Sequence, residues 1–182
     1  MIQKRTNPLF SLARFAQLFA LVALVVFQHS AFAAEPKKPV VAGFKLADQN
    51  DAMQEIKFPR ERPLILVVSD HKGSAGIADW ITPLAGQFRP QLDFFGVADL
   101  SPVPKPLRAK IRSYFQKGLT YPVMLDWEGS VVDKFNYKKK VPNLFLINKR
   151  GEIVKSTYGL ATDAVLKAWQ KEIELLLPPV AR

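Results

Sequence analysis

The chain has 182 residues, of which 48% are hydrophobic and 23% charged, and this balance is typical of a folded globular protein. It contains no cysteine, which excludes disulfide bonds, thiolate nucleophiles and thiolate metal ligands. The formal net charge of +10 at pH 7 favours anionic partners.

The first 33 residues have the pattern of a secretory signal peptide. Lys4, Arg5 and Arg14 precede an apolar segment over residues 15–27, and Ala31-Phe-Ala33 forms a small-x-small cleavage site. The apolar segment is shorter than the roughly 20 residues that a membrane span needs. We therefore expect cleavage after Ala33, a periplasmic mature protein and no stable membrane insertion.

The mature chain remains basic, at about +7, because residues 1–33 carry three basic residues and no acidic one. It lacks the arginine-rich surface with interleaved aromatic residues that is typical of nucleic-acid binding. We expect no nucleic-acid partner.

The first half of the mature chain predicts a hairpin followed by alternating strands and helices. Residues 44–51 and 53–58 alternate apolar and polar side chains around an Asp/Asn turn, and residues 64–68 form an unbroken apolar run that predicts a buried strand. Helical spacing follows from Ile77 to Phe88, with Pro83 expected to kink the helix, then a strand over residues 92–98 and a helix from Leu107 to Gly118. This order predicts parallel strands joined by helical crossovers.

The second half predicts antiparallel pairing and a closing helix. Residues 122–126 form a third strand, and residues 144–148 and 152–157 flank Lys149-Arg-Gly151 as a hairpin. A last helix begins at the N-cap Thr162 and places Trp169 and Ile173 on its apolar face. The predicted fold class is therefore α/β, with a mixed central sheet flanked by helices and an N-terminal β-hairpin.

This order, together with three local motifs, resembles the redoxin domains of the thioredoxin superfamily, of the TlpA and alkyl-hydroperoxide-reductase type. The motifs are Tyr121-Pro-Val-Met-Leu-Asp126, the run from Val141-Pro142-Asn-Leu-Phe-Leu-Ile to Gly151, and Tyr158-Gly159. The resemblance covers about residues 43–177, and it implies a thioredoxin-like fold. We accordingly divide the chain into a signal peptide (1–33), a flexible leader (34–42), the domain (43–177) and a tail (178–182).

The resemblance also implies a site at Pro142. In this family the matching proline is a cis residue at the redox face, and the backbone of its predecessor, here Val141, can pair with an extended peptide. From the resemblance we expect a cis bond before Pro142, although a trans proline that opens a strand is also allowed.

The family's redox cysteines would fall just after residues 64–68. One register places Gly73 and Gly76 in the two cysteine positions, and a shift by two residues places Ala75 and Ala78 there. Neither register supplies a thiol, so we expect no thiol-disulfide oxidoreductase or peroxidase activity.

Another chemistry in this loop would have to use His71 and Ser74. Imidazole could take the hydroxyl proton while Asp70 or Asp126 orients the ring. The strained Gly-x-Ser-x-Gly elbow of serine hydrolases is absent, and a solvated loop fits the same residues. The sequence offers no cofactor fingerprint and no metal-ligand set, since Asp48-Gln-Asn-Asp51 is better explained as a turn than as a calcium loop.

Binding is the function that remains open to this fold. Amides at the start of the helix after Gly76 could hold an anion or a carbonyl, beside a basic rim of lysines. The rim comprises Lys72, Lys134, Lys138, Lys139 and Lys140. A solvated charge run beside a turn is the commoner explanation of exposed lysines such as these. We expect a non-catalytic envelope protein that docks a protein or peptide segment, or an anionic ligand, at Val141, Pro142, Lys72, Gly73 and Gly76; a redoxin-derived enzyme centred on His71 and Ser74 is the alternative.

Overall fold

A five-stranded mixed sheet organises residues 38–177, which are the residues that the computed structural model describes. The strands are β1 Phe44–Ala47, β2 Met53–Ile56, β3 Leu64–Ser69, β4 Asp93–Asp99, β5 Met124–Asp126, β6 Asn143–Ile147 and β7 Ile153–Tyr158. The helices are α1 Ile77–Phe88, α2 Arg108–Gly118 and α3 Asp163–Leu176. In the sheet the order is β5-β4-β3-β6-β7, and β1 and β2 form a separate hairpin.

Strand β3 lies at the centre of the sheet, where its apolar run is expected. All six of its residues are buried, and it pairs in parallel with β4 and antiparallel with β6. Strand β5 extends the parallel side and β7 extends the antiparallel side. A strand that is covered on both faces needs no polar alternation, which explains the continuous apolar sequence.

Helices α1 and α3 cover one face of the sheet. Trp80 of α1 and Trp169 of α3 are fully buried, and their rings meet edge to face with centroids 5.9 Å apart. The other face is covered by the hairpin and by a short 3₁₀ turn, Val132–Phe135, whose Phe135 ring lies against Phe44. These two layers enclose β3 and fix the position of the loop that follows it.

The hairpin turn is built by Asp48 and covers the outer edge of β5. Asp48 Oδ1 accepts hydrogen bonds from the amides of Asn50 (2.8 Å) and Ala52 (3.1 Å), so this segment is a turn, as predicted. The neighbouring Gln49 side chain donates to the Tyr121 carbonyl (2.8 Å) and accepts from the Val123 amide (2.9 Å). The side-chain amide of Gln49 therefore makes the hydrogen bonds that a neighbouring strand would make at that edge.

The predicted fold class is confirmed, including the mixed sheet and the N-terminal hairpin. Thr162 is the N-cap of α3, where its Oγ1 accepts from the Val165 amide at 3.4 Å. Pro83 lies inside α1, and α2 begins at Arg108 after a short turn rather than at Leu107. None of the helices within residues 38–177 combines the length and apolar composition that crossing a membrane requires. The predicted signal peptide and tail lie outside the described residues.

The prediction of a cis bond before Pro142 is wrong. Within the described residues the cis peptide bond lies between Phe58 and Pro59, and the Val141–Pro142 bond is trans. Pro142 immediately precedes β6, and its carbonyl accepts from the Gly159 amide at 2.9 Å. A trans proline at the start of a strand removes no ladder hydrogen bond, so the sheet does not require the cis isomer.

Candidate functional site

Two buried glycines in the turn after β3 face Val141 and Pro142. The turn is Gly73–Gly76, and it leads directly into α1. A Cβ atom on Gly76 would lie 3.2 Å from Pro142 Cγ and 3.1 Å from Leu160 Cδ2. Ala75 and Ala78, the pair that the other register places in the family's cysteine positions, are exposed.

Gly73 leaves no room for a side chain. A Cβ atom there would lie 2.5 Å from the Val141 carbonyl oxygen and 2.8 Å from its carbonyl carbon. That neighbour is backbone, so it cannot rotate away as a side chain would. In the register that places Gly73 in a cysteine position, the Val141 peptide closes that position to a side chain.

Asp70 joins this turn to the lysines that precede Val141. Its Oδ1 accepts from the Gly73 amide (2.7 Å), its main-chain carbonyl accepts from the Ser74 amide (3.1 Å), and its Oδ2 accepts from the Lys140 amide (2.9 Å). The Gly73 and Ser74 amides belong to the turn before α1 and precede the helix-start amides that were expected to hold an anion; of the latter, the Ile77 amide donates to the Ser74 carbonyl. From the sequence, Asp70 was interpreted only as a partner for His71. An aspartate just before a turn often accepts hydrogen bonds from the turn amides, and this was the signal for its structural role.

Asn143 holds the lysine segment in one conformation. Its side chain is 2% exposed; Oδ1 accepts from the Lys138 amide (2.7 Å), and Nδ2 donates to the carbonyls of Lys138 (2.7 Å) and Val141 (2.8 Å). Lys140 adopts a left-handed conformation with φ of 69°, which costs about 1 kcal/mol for a residue with a Cβ. We call residues 138–140, held by Asp70 and Asn143, the lysine turn.

His71 and Ser74 lie in the same loop, and both are exposed. The Ser74 hydroxyl donates to the main-chain carbonyl of His71 at 2.8 Å, so its proton is directed at the backbone rather than at the imidazole. Asp126, the other carboxylate considered for orienting His71, is 1% exposed and accepts from the amides of Val131 (2.7 Å) and Val132 (2.9 Å). Asp126 therefore serves to hold the turn that follows β5.

Exposed lysines and apolar side chains lie together on this surface. Lys72, Lys134 and the three residues of the lysine turn are exposed, and within residues 38–177 none of them forms a salt bridge. The Lys138 ammonium lies 3.5 Å from the centroid of the Tyr158 ring. Tyr158 is 56% exposed and Leu160 is 71% exposed.

A buried carboxylate anchors the residue before the lysine turn. Asp99 accepts from the Ser101 hydroxyl (2.6 Å) and amide (3.0 Å), and from the Tyr137 hydroxyl. Burial raises the pKa of Asp99, but these hydrogen bonds outweigh it and leave the pKa below its usual value. Burial, followed by the hydrogen bond to Asp99, raises the pKa of Tyr137.

No group of three histidine, cysteine, aspartate or glutamate side chains suited to a metal ion occurs within residues 38–177.

The strand order, the helices on one face and the loop after β3 define a thioredoxin-like fold. A putative thiol:disulfide interchange protein DsbE from Chlorobium tepidum is similar in structure, with a TM-score of 0.58 and 14% identity over 78% of this chain and 97% of that one. The exposed lipoprotein thioredoxin Etrx1 of Streptococcus pneumoniae strain TIGR4 has a TM-score of 0.56 and 20% identity, over 71% of this chain and 99% of that one. StoA from Bacillus subtilis has a TM-score of 0.51 and 20% identity, over 72% of this chain and 99% of that one. At these identities the likeness shows the fold.

A curated protein is also similar to this chain in sequence over a short stretch. The sporulation thiol-disulfide oxidoreductase A of Bacillus subtilis (strain 168) is 37% identical over 54 residues, and these residues make up 30% of this chain. The chain matches 32% of the length of that relative. No protein-family model matches the sequence.

Proposed function

We propose that this chain is an exported, non-catalytic binding protein of the cell envelope. It docks a protein segment at the face where redoxins carry their cysteines. We call this the docking face: the Lys72–Gly76 loop, the lysine turn, Pro142 and Leu160. The main support is the close approach of Gly73 to the Val141 carbonyl. It leaves no space for a side chain at a position where the resemblance would place a cysteine.

Two features of the residues present support a non-catalytic role. A thiol cycle needs a thiolate, and the chain has no cysteine. A serine nucleophile needs a base within hydrogen-bonding reach of its hydroxyl, and the Ser74 hydroxyl bonds to a main-chain carbonyl instead. A face that keeps the backbone arrangement of a redoxin site but lacks its thiols remains suited to binding another molecule.

A protein segment fits the docking face better than a small anion does. The Gly73 and Ser74 amides of the turn are bonded to Asp70, and the Ile77 amide at the start of α1 donates to the Ser74 carbonyl, which leaves fewer amides for an anion. Leu160 exposes an apolar side chain that lies, like Pro142, beside Gly76, and it follows by two residues Tyr158, which Lys138 contacts, so the face offers an apolar contact together with positive charge. Interfaces between proteins combine an apolar contact with a charged rim in this way.

Export is supported by the N-terminal sequence pattern. Intact-mass analysis of protein recovered from the periplasmic fraction is expected to find a mature chain that begins at Ala34, or within a residue or two of it. Recovery of the intact chain from Met1 in the membrane fraction would contradict export by a cleaved signal.

Site-specific photo-crosslinking in intact envelopes tests the docking face. A photoreactive amino acid replaces Leu160 in one variant and Leu175 of α3 in the control, because these side chains are 71% and 74% exposed. We expect a discrete crosslinked partner from position 160 that is absent from position 175. Equal crosslinking from both positions, or none from position 160, would refute the proposed function.

A further inference from the structure

The outer edge of β7 is only half covered. β7 is the last strand of the sheet, and its first residues are met by the chain that precedes β1: the Ile153 amide donates to the Pro39 carbonyl, and the Val41 amide to the Gly151 carbonyl, each at 2.8 Å. Along residues 155–158, no strand within the described part of the chain pairs with this edge. A short unpaired strand edge therefore remains beside the docking face.

The free groups on that edge follow from the antiparallel ladder with β6. The Gly159 amide donates to the Pro142 carbonyl, and Asn143 pairs with Tyr158, so Thr157 directs its backbone groups at β6. Backbone direction alternates along a strand, which leaves the N–H and C=O groups of Ser156 and Tyr158 facing outward. A bulge at Leu146/Ile147 separates this open half from the covered half.

The side chains at the open half indicate the chemistry of an occupant. Lys138 lies over the Tyr158 ring, and the two other residues of the lysine turn continue the positive charge. Residues 134–140 contain four lysines and no carboxylate. Leu160 adds an exposed apolar side chain two residues after Tyr158. An acidic segment with apolar side chains complements this surface.

We propose that the open edge of β7 receives an extended, acidic segment of a partner protein as an additional strand. This proposal rests on the proposed function and specifies its partner: main-chain hydrogen bonds to Ser156 and Tyr158 supply affinity, and the lysine turn selects acidic side chains. The edge favours a polypeptide over a lipid surface. Unpaired backbone groups can bond to another strand, whereas hydrocarbon leaves them unsatisfied.

The probe is a fluorescently labelled octapeptide that alternates glutamate with valine, titrated into the mature protein and followed by anisotropy. Ser156→Pro removes one outward amide without removing a ladder bond, and Ser156→Ala keeps that amide. We expect Ser156→Pro to weaken binding about tenfold or more and Ser156→Ala to leave it within about twofold, as main-chain pairing requires. Backbone N-methylation at every residue of the peptide blocks both of its edges and should abolish binding to the unaltered protein, which tests pairing without any protein variant.

Side-chain selection has its own matched control. Tyr158→Ser should weaken binding, whereas Tyr114→Ser, on α2 and similarly exposed at 58% against 56%, should not. Replacing the glutamates of the peptide by lysine should abolish binding, and added salt should weaken it.

Four results would overturn the proposal. They are no binding of the octapeptide, equal binding by Ser156→Pro and wild type, binding to phosphatidylglycerol vesicles in place of the peptide, or peptide binding only after residues 34–37 are deleted. Binding only after that deletion would mean that the chain's own leader occupies the open edge of β7. A partner crosslinked through Leu160 that is unaffected by Ser156→Pro would leave the proposed function standing and remove only the strand addition.

Discussion

Replacement of Gly73 by alanine should destabilise the protein, although glycine-to-alanine substitutions in turns and helices are often stabilising. The added Cβ would lie 2.5 Å from the Val141 carbonyl oxygen, about 1 Å inside an ordinary contact. Asn143 Nδ2 holds that carbonyl, and Asp70 holds the Gly73 amide. Overpacking of this kind costs about 1–3 kcal/mol, against a gain of about 0.4–1 kcal/mol from the stiffer unfolded chain. We expect a net loss of about 1–2 kcal/mol.

The matched control is Gly86→Ala. Gly86 lies inside α1, and no atom lies within 4 Å of the position that its Cβ would take. Alanine there should raise the free energy of unfolding by about 0.5–1 kcal/mol. Urea denaturation followed by far-UV circular dichroism measures both variants, provided that their m-values match that of wild type. A Gly73→Ala protein as stable as wild type would mean that Val141 does not close the position.

Two further substitutions test the groups that hold the lysine turn. Asn143→Ala should lower the free energy of unfolding by about 2–4 kcal/mol, because it removes three hydrogen bonds and leaves the Val141 carbonyl without this donor; a loss below 1 kcal/mol in urea would contradict the role given to it. Tyr137→Phe should cost about 1–3 kcal/mol at pH 7 by removing the hydroxyl that bonds to Asp99. Because the folded protein raises the pKa of Tyr137, the stability from its protonated hydroxyl is complete below about pH 10 and falls at higher pH, so the two proteins should converge in alkaline urea titrations. A difference that is constant from pH 7 to above pH 10 would refute this linkage.

The fold could be predicted because its signals are local. The buried run of β3, the helical spacing with Trp80 and Trp169, and the N-cap Thr162 each depend on residues close together in sequence. Strand order then follows from short connections and right-handed crossovers. The β-bulge between β6 and β7 left no comparable signal.

The details of the site depend on contacts between distant residues. Asp70 bonds to the Lys140 amide, 70 positions away, and Gly73 packs against Val141. Neither contact follows from spacing or composition. The peptide isomer at Pro142 was predicted from a resemblance, whereas the trans bond reflects how this chain enters β6.

The central claim is that the redoxin face of this protein binds without performing thiol chemistry. Dithiothreitol-driven reduction of insulin tests this claim most directly, when it is measured with mature protein that has first been reduced, then alkylated with iodoacetamide and freed of both reagents. Alkylation inactivates contaminating redoxins through their cysteines and has no cysteine to modify in this chain. We predict that insulin is reduced at the rate of dithiothreitol alone; a faster rate that survives alkylation and scales with the protein concentration would contradict the account.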